Sequence, residues 1–420
     1  MGKSDRKKIA FLTLGCKLNY AETSTYERGF LEAGLEVVPW SAAADIYLVN
    51  TCSVTATSDA KSRNLVRKVH RVNPEALVIV TGCSAQLRPE DFRNIPGVAR
   101  VFGCNEKSQV VPDTLSLAGI TTTLTEPPAP VFAAWSSGER TRSFLKVQDG
   151  CDNFCLYCTV PYARGASRNV SIAECEQNAR RIAALGVKEV VLTGVNTGDF
   201  GKTTGESFLD LLKVLNAVGG IERYRISSIE PNLLSREIID WIASGTKFQP
   251  HFHIPLQTGT DELLAAMGRR YGTADFAALL EYIRSAMEAP GKPKVFFGID
   301  VMCGLPGETE ELFRRTCAFL EQVRPAFIHV FPYSRRPGTP AASMPGQVSE
   351  GVKKERVAVL EALCERLHAE FVAANRGVLE RVLFESTDRD GFMEGYTGNY
   401  IRIRRPYEAA LCGKLTDVTI

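Results

Sequence analysis

No apolar run in this chain of 420 residues approaches the roughly 20 residues that a membrane-spanning helix needs, so no such helix is expected. A secretory leader is not expected either: the basic start MGKSDRKK leads through a short apolar stretch straight into a strand-like pattern. Charge of one sign is not in excess. With 50 Lys and Arg against 48 Asp and Glu, the net charge of +2 neither points to nor excludes a nucleic-acid partner. Without a leader, 12 cysteines imply a reducing, cytoplasmic setting in which thiols serve metals rather than disulfides. The most informative absence is a fourth cysteine. Cys151, Cys155 and Cys158 form a Cys-x3-Cys-x2-Cys run in QDGCDNFCLYC, and none follows nearby. A structural zinc site closes tetrahedrally on four ligands. Three thiolates in eight residues instead suit a 4Fe–4S cluster with one iron left open for a small molecule. Phe154 and Tyr157, interleaved with these cysteines, are expected to shield them from water and oxygen.

The length implies two or three domains. Residues 1–120 alternate short apolar runs (Ile9–Leu14, Ile46–Asn50, Leu77–Thr81, Ala99–Gly103) with helix-compatible stretches (Ala21–Ala33, Thr57–Val72). This rhythm predicts a flavodoxin-like, doubly wound parallel sheet. Residues 121–141, rich in Thr, Pro and Ser, read as a linker. Between 142 and 376, six strand candidates alternate with helices: Phe144–Val147, Glu189–Leu192, Tyr224–Ile229, Phe252–Leu256, Val295–Met302 and Phe327–Phe331. Six units suit a partial (βα)6 barrel better than a closed eight-unit one, and Lys353–Ala374 reads as an exit helix. Residues 377–420 turn to short strands broken by Gly, Asp, Asn and Pro, the pattern of a small β-barrel. The fold class is α/β with a C-terminal β module.

Cys16, Cys52 and Cys83 are far apart in sequence, yet each follows one of the first three strands (FLTLGC, IYLVNTC, LVIVTGC). In an open α/β sheet the ligand crevice lies beyond the carboxyl ends of the strands. The fold would therefore gather a second three-cysteine set, and with it a second cluster with an open iron. Cys104 also follows a strand and competes as a ligand. Cys175, Cys303, Cys317, Cys364 and Cys412 read as packing residues.

Taken with GCKLNYAET, NTCSVT, TGCSAQ, RISSIEP, HIPLQTGT, GLPGET and YSRRPGTPAA, these features resemble the methylthiotransferase family of radical S-adenosylmethionine enzymes over essentially the whole chain. The resemblance implies an N-terminal auxiliary-cluster domain, a radical barrel and a C-terminal TRAM-type module that binds tRNA. It assigns Cys16, Cys52 and Cys83 to the auxiliary cluster and Cys151, Cys155 and Cys158 to the radical cluster. It implies two 4Fe–4S clusters and S-adenosylmethionine in two roles, methyl donor and radical source. A reductant such as a flavodoxin or ferredoxin is also implied, and the sulfur donor is left unassigned. GCKLN with Glu22, LTGVNTGDFG and RISSIEP are most similar to the branch that methylthiolates C2 of threonylcarbamoyladenosine beside the tRNA anticodon. Other branches act on isopentenyladenosine or on a ribosomal aspartate. They usually carry Gln or Pro where this chain has Lys17.

Several strand ends are expected to meet the cofactor: Thr193, Gly194 and Asn196 after the second barrel strand, Glu230, Gln257, and Gly304 with Glu308. A plain turn also explains the glycines, and an N-terminal helix position also explains Glu308. His251 and His253 read equally well as core or surface groups. Arg164, Arg335 and Arg336 are the candidate cations for a substrate carboxylate, with ion pairing at the barrel rim as the alternative.

For tRNA, residues 377–420 hold six Lys/Arg against seven Asp/Glu, a poor phosphate-binding balance. Arg402 and Arg404 alternate on one strand face beside Tyr400 and Tyr407. Lys61, Arg63, Arg67, Lys68 and Arg71 offer a second basic surface. A different class, a non-enzymatic iron–sulfur RNA-binding sensor, leaves the barrel without a purpose.

Overall fold

The computed structural model describes residues 6–121, 131–137 and 141–420. Most of the linker expected over 121–141 lies outside the described residues. Five parallel strands, β1 (Lys8–Thr13), β2 (Glu36–Val37), β3 (Ile46–Thr51), β4 (Leu77–Gly82) and β5 (Val98–Val101), form the first sheet in the order β2-β1-β3-β4-β5. This is the flavodoxin order, with its switch point between β1 and β3. Helices α1 (Lys17–Glu32), α2 (Ala56–Val72) and α3 (Cys83–Leu87) follow β1, β3 and β4. The first helix starts four residues before the expected Ala21. Asn19 breaks the apolar pattern, because its amide turns inward to donate to the carbonyls of Leu14 (2.8 Å) and Thr51 (2.9 Å).

The second sheet begins at β6 (Arg142–Lys146). A two-stranded ladder, β7 (Gln148–Asp149) with β8 (Arg168–Asn169), brackets the Cys151–Cys158 loop. Then come β9 (Glu189–Thr193), β10 (Arg223–Ile226), β11 (Phe248–His253), β12 (Phe296–Cys303) and β13 (Phe327–Pro332). They pair in parallel as β6-β9-β10-β11-β12-β13, an open six-stranded barrel wall. Period-2 alternation splits each strand. Leu145, Leu192, Tyr224, Phe252, Ile299 and Ile328 face the helices in one large core. The opposite face carries Arg142, Glu189, Arg225, His253, Asp300 and His329. That polar inner face explains why β11 starts four residues before the expected Phe252: Gln249, His251 and His253 interrupt the apolar run.

Four antiparallel strands finish the chain: β14 (Leu379–Phe384), β15 (Phe392–Tyr396), β16 (Arg402–Pro406) and β17 (Leu415–Thr419), in the order β16-β15-β14-β17. Their sheet does more than the sequence implied, because its β15–β16 turn plugs the amino-terminal end of the barrel. Arg225 donates to the carbonyls of Gly398 (2.7 Å) and Thr397 (2.8 Å), and Asn399 donates to the Lys294 carbonyl (3.0 Å). Tyr400, at φ 67°, turns its ring inward against His251 (4.9 Å between centroids) and Phe296 (5.8 Å). Tyr400 is thus a barrel plug rather than a companion of Arg402, and β16 begins two residues after it.

The described piece of the linker region, 131–137, stitches the two α/β units together. Trp135 pairs with Leu145 and lies 3.6 Å beneath the Arg28 guanidinium of α1. Phe132 stacks on Tyr26 of the same helix at 5.2 Å.

Candidate active site and its two cysteine sets

The crevice at the carboxyl edge of the first sheet is built by close backbone approach. A Cβ placed on Gly15, at φ +103°, would lie 2.9 Å from Cys52 Sγ. One on Gly82, at φ +101°, would lie 2.4 Å from the Thr51 carbonyl. Only glycine permits both contacts, and they draw the turns bearing Cys16, Cys52 and Cys83 together. Cys16 is exposed, Cys83 half-buried and Cys52 buried. Burial pushes the Cys52 thiol up to about 11. Cys83 is instead lowered, first by a hydrogen bond with Cys104 and then by the charges of Arg164 and Lys107 against the opposing effect of burial. Cys104 itself is buried behind Cys83.

The second set lies on an irregular loop. The Cys151 N–H donates to Gly165 O (3.1 Å), Leu156 N–H to Met267 O (3.1 Å), and Leu156 O accepts from Ala341 (3.0 Å). Three donors aim at the sulfurs: Asn153 N–H at Cys151 (3.5 Å), Val160 N–H at Cys158 (3.4 Å) and Arg269 Nη1 at Cys155 (3.1 Å). Burial pushes Cys151 up to about 11 and Cys158 up to about 12. Metal binding at such thiols displaces their protons. Tyr157 is packed against the cluster of Met267, Leu305, Tyr333 and Ala341. Phe154 is not: at φ 46° it is 54% exposed, edge-on to Tyr162.

One buried ion cluster bolts the two sets into a single cleft. Glu22 of α1 meets Lys107 (2.6 Å), Lys146 (2.8 Å) and Arg164 (3.2 Å). Asp149 meets Lys146 (2.7 Å) and Arg164 (2.8 Å). Arg164 also donates to Asn19 Oδ1 (2.6 Å), the residue that ties β1 to β3. Burial alone would raise both carboxyls. The surrounding cations outweigh it and hold Glu22 and Asp149 well below the usual carboxylate range. Arg164 follows the Cys158 loop on the helix Val160–Arg164, which packs on α3, the helix that opens with Cys83.

The expected substrate cations are therefore mostly spent. Arg164 is 2% exposed inside this cluster. Arg336 is buried in an ion pair with Asp59 of α2, and its neighbour Ser334 accepts from Ala56 N–H at 3.1 Å. Both arginines, expected as substrate cations, are ion-paired instead, although Nε and Nη1 of Arg336 are buried without a hydrogen-bond partner. Arg335 is exposed, with its Nε on Ala342 O at 2.5 Å. Arg402 and Arg404 are exposed on β16, Arg404 lying over Phe392 at 4.2 Å. Lys61, Arg67, Lys68 and Arg71 are exposed along α2 and Arg63 is half-buried.

Thr193, Gly194 and Asn196 do converge on the Cys151 loop. Gln148 Oε1 accepts from Val195 N–H and Asn196 N–H, both at 2.9 Å, while its Nε2 donates to Gly150 O at 2.7 Å. Asn196 Nδ2 and Ser227 Oγ, at neighbouring strand ends, are buried without a partner. Orphaned polar atoms there fit a polar ligand that completes them. Glu230 is paired with Arg269, which also holds Cys155. Gln257 takes φ 75° and bridges to Val301 at the barrel mouth. Glu308 departs from its expected cofactor role: it accepts from Gly304 N–H (2.5 Å) and pairs with Arg356 at 2.6 Å. Gly304 is pressed against Lys353, so this motif docks the helix Glu350–Ala374. Gln148 and Arg269 escaped the sequence reading. Gln148 sits in the quoted QDGC motif and could have been noticed. Nothing marked Arg269 beyond an Arg pair after a short helix.

His253, Asp300 and His329 form a group missed as a unit. His253 Nε2 and Asp300 Oδ1 are 2.8 Å apart, and all three offer ligand atoms within 4.8 Å of one another. Three adjacent strands put them on the inner wall.

A six-stranded open barrel with a three-cysteine loop at its mouth defines a radical S-adenosylmethionine enzyme, and residues 145–320 match the model of the Radical SAM superfamily. Residues 8–103 match uncharacterized protein family UPF0004. The chain belongs to the methylthiotransferase family of radical S-adenosylmethionine enzymes. It is 37% identical to the threonylcarbamoyladenosine tRNA methylthiotransferase MtaB of Bacillus subtilis, over 98% of this chain and 93% of that one. The Aquifex aeolicus protein of the same name is 35% identical, over 98% and 100%. A tRNA-2-methylthio-N(6)-dimethylallyladenosine synthase of Pelotomaculum thermopropionicum is 31% identical, over 99% and 95%. Among solved structures, the radical S-adenosylmethionine methyltransferase TsrM of Kitasatospora setae shares the fold. It has a TM-score of 0.58 at 15% identity, over 80% of this chain and 77% of that one.

Proposed function

We propose that this chain transfers a methylthio group to C2 of N6-threonylcarbamoyladenosine beside the anticodon of tRNA. The observation that carries the reading is the meeting of two three-cysteine sets in one cleft, joined through Glu22 and Arg164. When bound, two 4Fe–4S clusters and S-adenosylmethionine supply the radical and the methylthio group. Cys151, Cys155 and Cys158 hold the radical cluster; Cys16, Cys52 and Cys83 hold the auxiliary one. Cys83 serves as the ligand because it is the more accessible of the two, whereas Cys104 is buried as its hydrogen-bonding support. Gln148, Asn196 and Ser227 position the cofactor. Residues 1–120 carry the sulfur chemistry, 142–376 the radical chemistry, and 377–420 contribute Arg402 and Arg404 to tRNA. A flavodoxin or ferredoxin supplies electrons, and the reaction takes place in the cytoplasm.

Anaerobic reconstitution is expected to give about eight irons per chain, four for each three-thiolate set. Changing Cys151, Cys155 and Cys158 together to Ala should leave about half of them. Loss of all iron, or a requirement for Cys104 in place of Cys83, would refute the ligand assignment.

The substrate is tested with the purified, reconstituted enzyme and tRNA bearing either modification. Threonylcarbamoyladenosine should be methylthiolated and dimethylallyladenosine left nearly untouched. The reverse order would move the chain to the other branch.

A further inference from the structure

Within this reading of the substrate, one cation of the cleft has no partner. Arg225 is bonded to Glu189, Arg142 to Glu385, Arg269 to Glu230, and Arg164 to two carboxylates. The Lys17 side chain makes no ion pair or hydrogen bond among the described residues. It is the first residue of α1, next to Cys16, on the helix whose Tyr20 packs edge-on against Phe144 (5.7 Å) and whose Glu22 binds Lys146. Phe144 and Lys146 belong to the inner face of β6, so α1 lies across the barrel opening and Lys17 reaches inside. Its charged neighbours there are Arg142, Arg225 and Asp300, from three different strands. The side chain is exposed to solvent within the cleft.

Each of these neighbours already has a partner, Glu385 for Arg142, Glu189 for Arg225 and His253 for Asp300, which leaves Lys17 as the cation without a counter-ion. A lone ammonium in such surroundings favours a bound anion. The Lys17 ammonium disfavours a metal ion at the neighbouring His253–Asp300–His329 group and leaves those side chains to hydrogen bond with an organic ligand. Threonylcarbamoyladenosine differs from adenosine by a side arm with one carboxylate and one hydroxyl. We propose that Lys17 is the specificity-determining residue that binds this carboxylate, with the His253–Asp300–His329 group taking the hydroxyl. The arm would enter the barrel from the side of Cys16, which leaves the adenine ring between the two cysteine sets.

The test is anaerobic binding of the full-length reconstituted protein to synthetic anticodon stem-loops. They carry threonylcarbamoyladenosine, its neutral methyl ester, or plain adenosine. Wild type should bind the acid about tenfold more tightly than the ester, as expected for a charge-assisted hydrogen bond. Lys17→Met should bind acid and ester alike, at the wild-type level for the ester, while Lys17→Arg keeps most of the preference. Equal binding of acid and ester by wild type would overturn the proposal, and this arm does not depend on any variant folding. An undiminished preference in Lys17→Met would overturn it too. A wild-type protein that bound threonylcarbamoyladenosine and adenosine equally, and methylthiolated dimethylallyladenosine, would instead overturn the substrate reading on which the proposal rests.

Discussion

Cys52→Ala is expected to abolish methylthiolation while leaving reductive cleavage of S-adenosylmethionine largely intact. Cys52 directly follows a strand of the first sheet, whereas the Cys151–Cys158 loop is pinned by Gly165, Met267 and Ala341 of the barrel unit. No bond among the described residues runs from Cys52 to that loop. The loss of methylthio transfer should be about a thousandfold or more, roughly 4 kcal/mol of barrier. Mass spectrometry of 5′-deoxyadenosine and of the modified nucleoside separates the two activities. If a folded Cys52→Ala protein lost both together, the division of labour between the two units would be wrong.

Glu22→Gln is expected to be among the most destabilising single substitutions in the chain. Glu22 is fully buried, and it joins α1 to Lys107, Lys146 and Arg164. The variant leaves three cations facing Asp149 alone. Breaking a buried network of this kind costs about 3–5 kcal/mol, a drop in melting temperature of about 5 °C for a chain of this length. The pH dependence has a definite sign. Cations hold the Glu22 and Asp149 carboxyls below their unfolded values near pH 4, so their contribution is present above that pH. It is lost as pH falls through the lower folded values. Wild type should therefore melt progressively earlier below about pH 4, and Glu22→Gln should show a weaker dependence. A variant as stable as wild type at neutral pH would show that the cluster does not hold the units together.

The fold was legible where strands carry signatures that survive burial. The runs before Cys16, Cys52 and Cys83 gave the first sheet, and the six barrel units followed from the same rhythm. Element edges slipped wherever a polar residue points inward: at Asn19, which starts α1 early, and at His251, which hides the start of β11. The cysteine sets were legible because ligand chemistry restricts spacing. The ion cluster was not. Glu22, Lys107 and Lys146 are 124 residues apart at the extremes, and only tertiary packing shows them buried together. Arg164 and Arg336 have the composition of substrate-binding residues, and nothing local discloses that they pair with Glu22 and Asp59. Tyr400 was visible as an aromatic beside basic residues, but its inward turn depends on a left-handed backbone that Tyr seldom adopts. The sequence does show Lys17, yet its lack of a partner is a property of the assembled cleft.

The central claim is most directly tested by mass spectrometry of tRNA nucleosides from cells that lack this gene and from cells in which it is restored. The account predicts that 2-methylthio-N6-threonylcarbamoyladenosine disappears without the gene while its unmethylthiolated precursor accumulates. Wild type should restore it, and the Cys151→Ala variant should not. An unchanged level of that nucleoside, with loss of the methylthiolated dimethylallyl form instead, would contradict it.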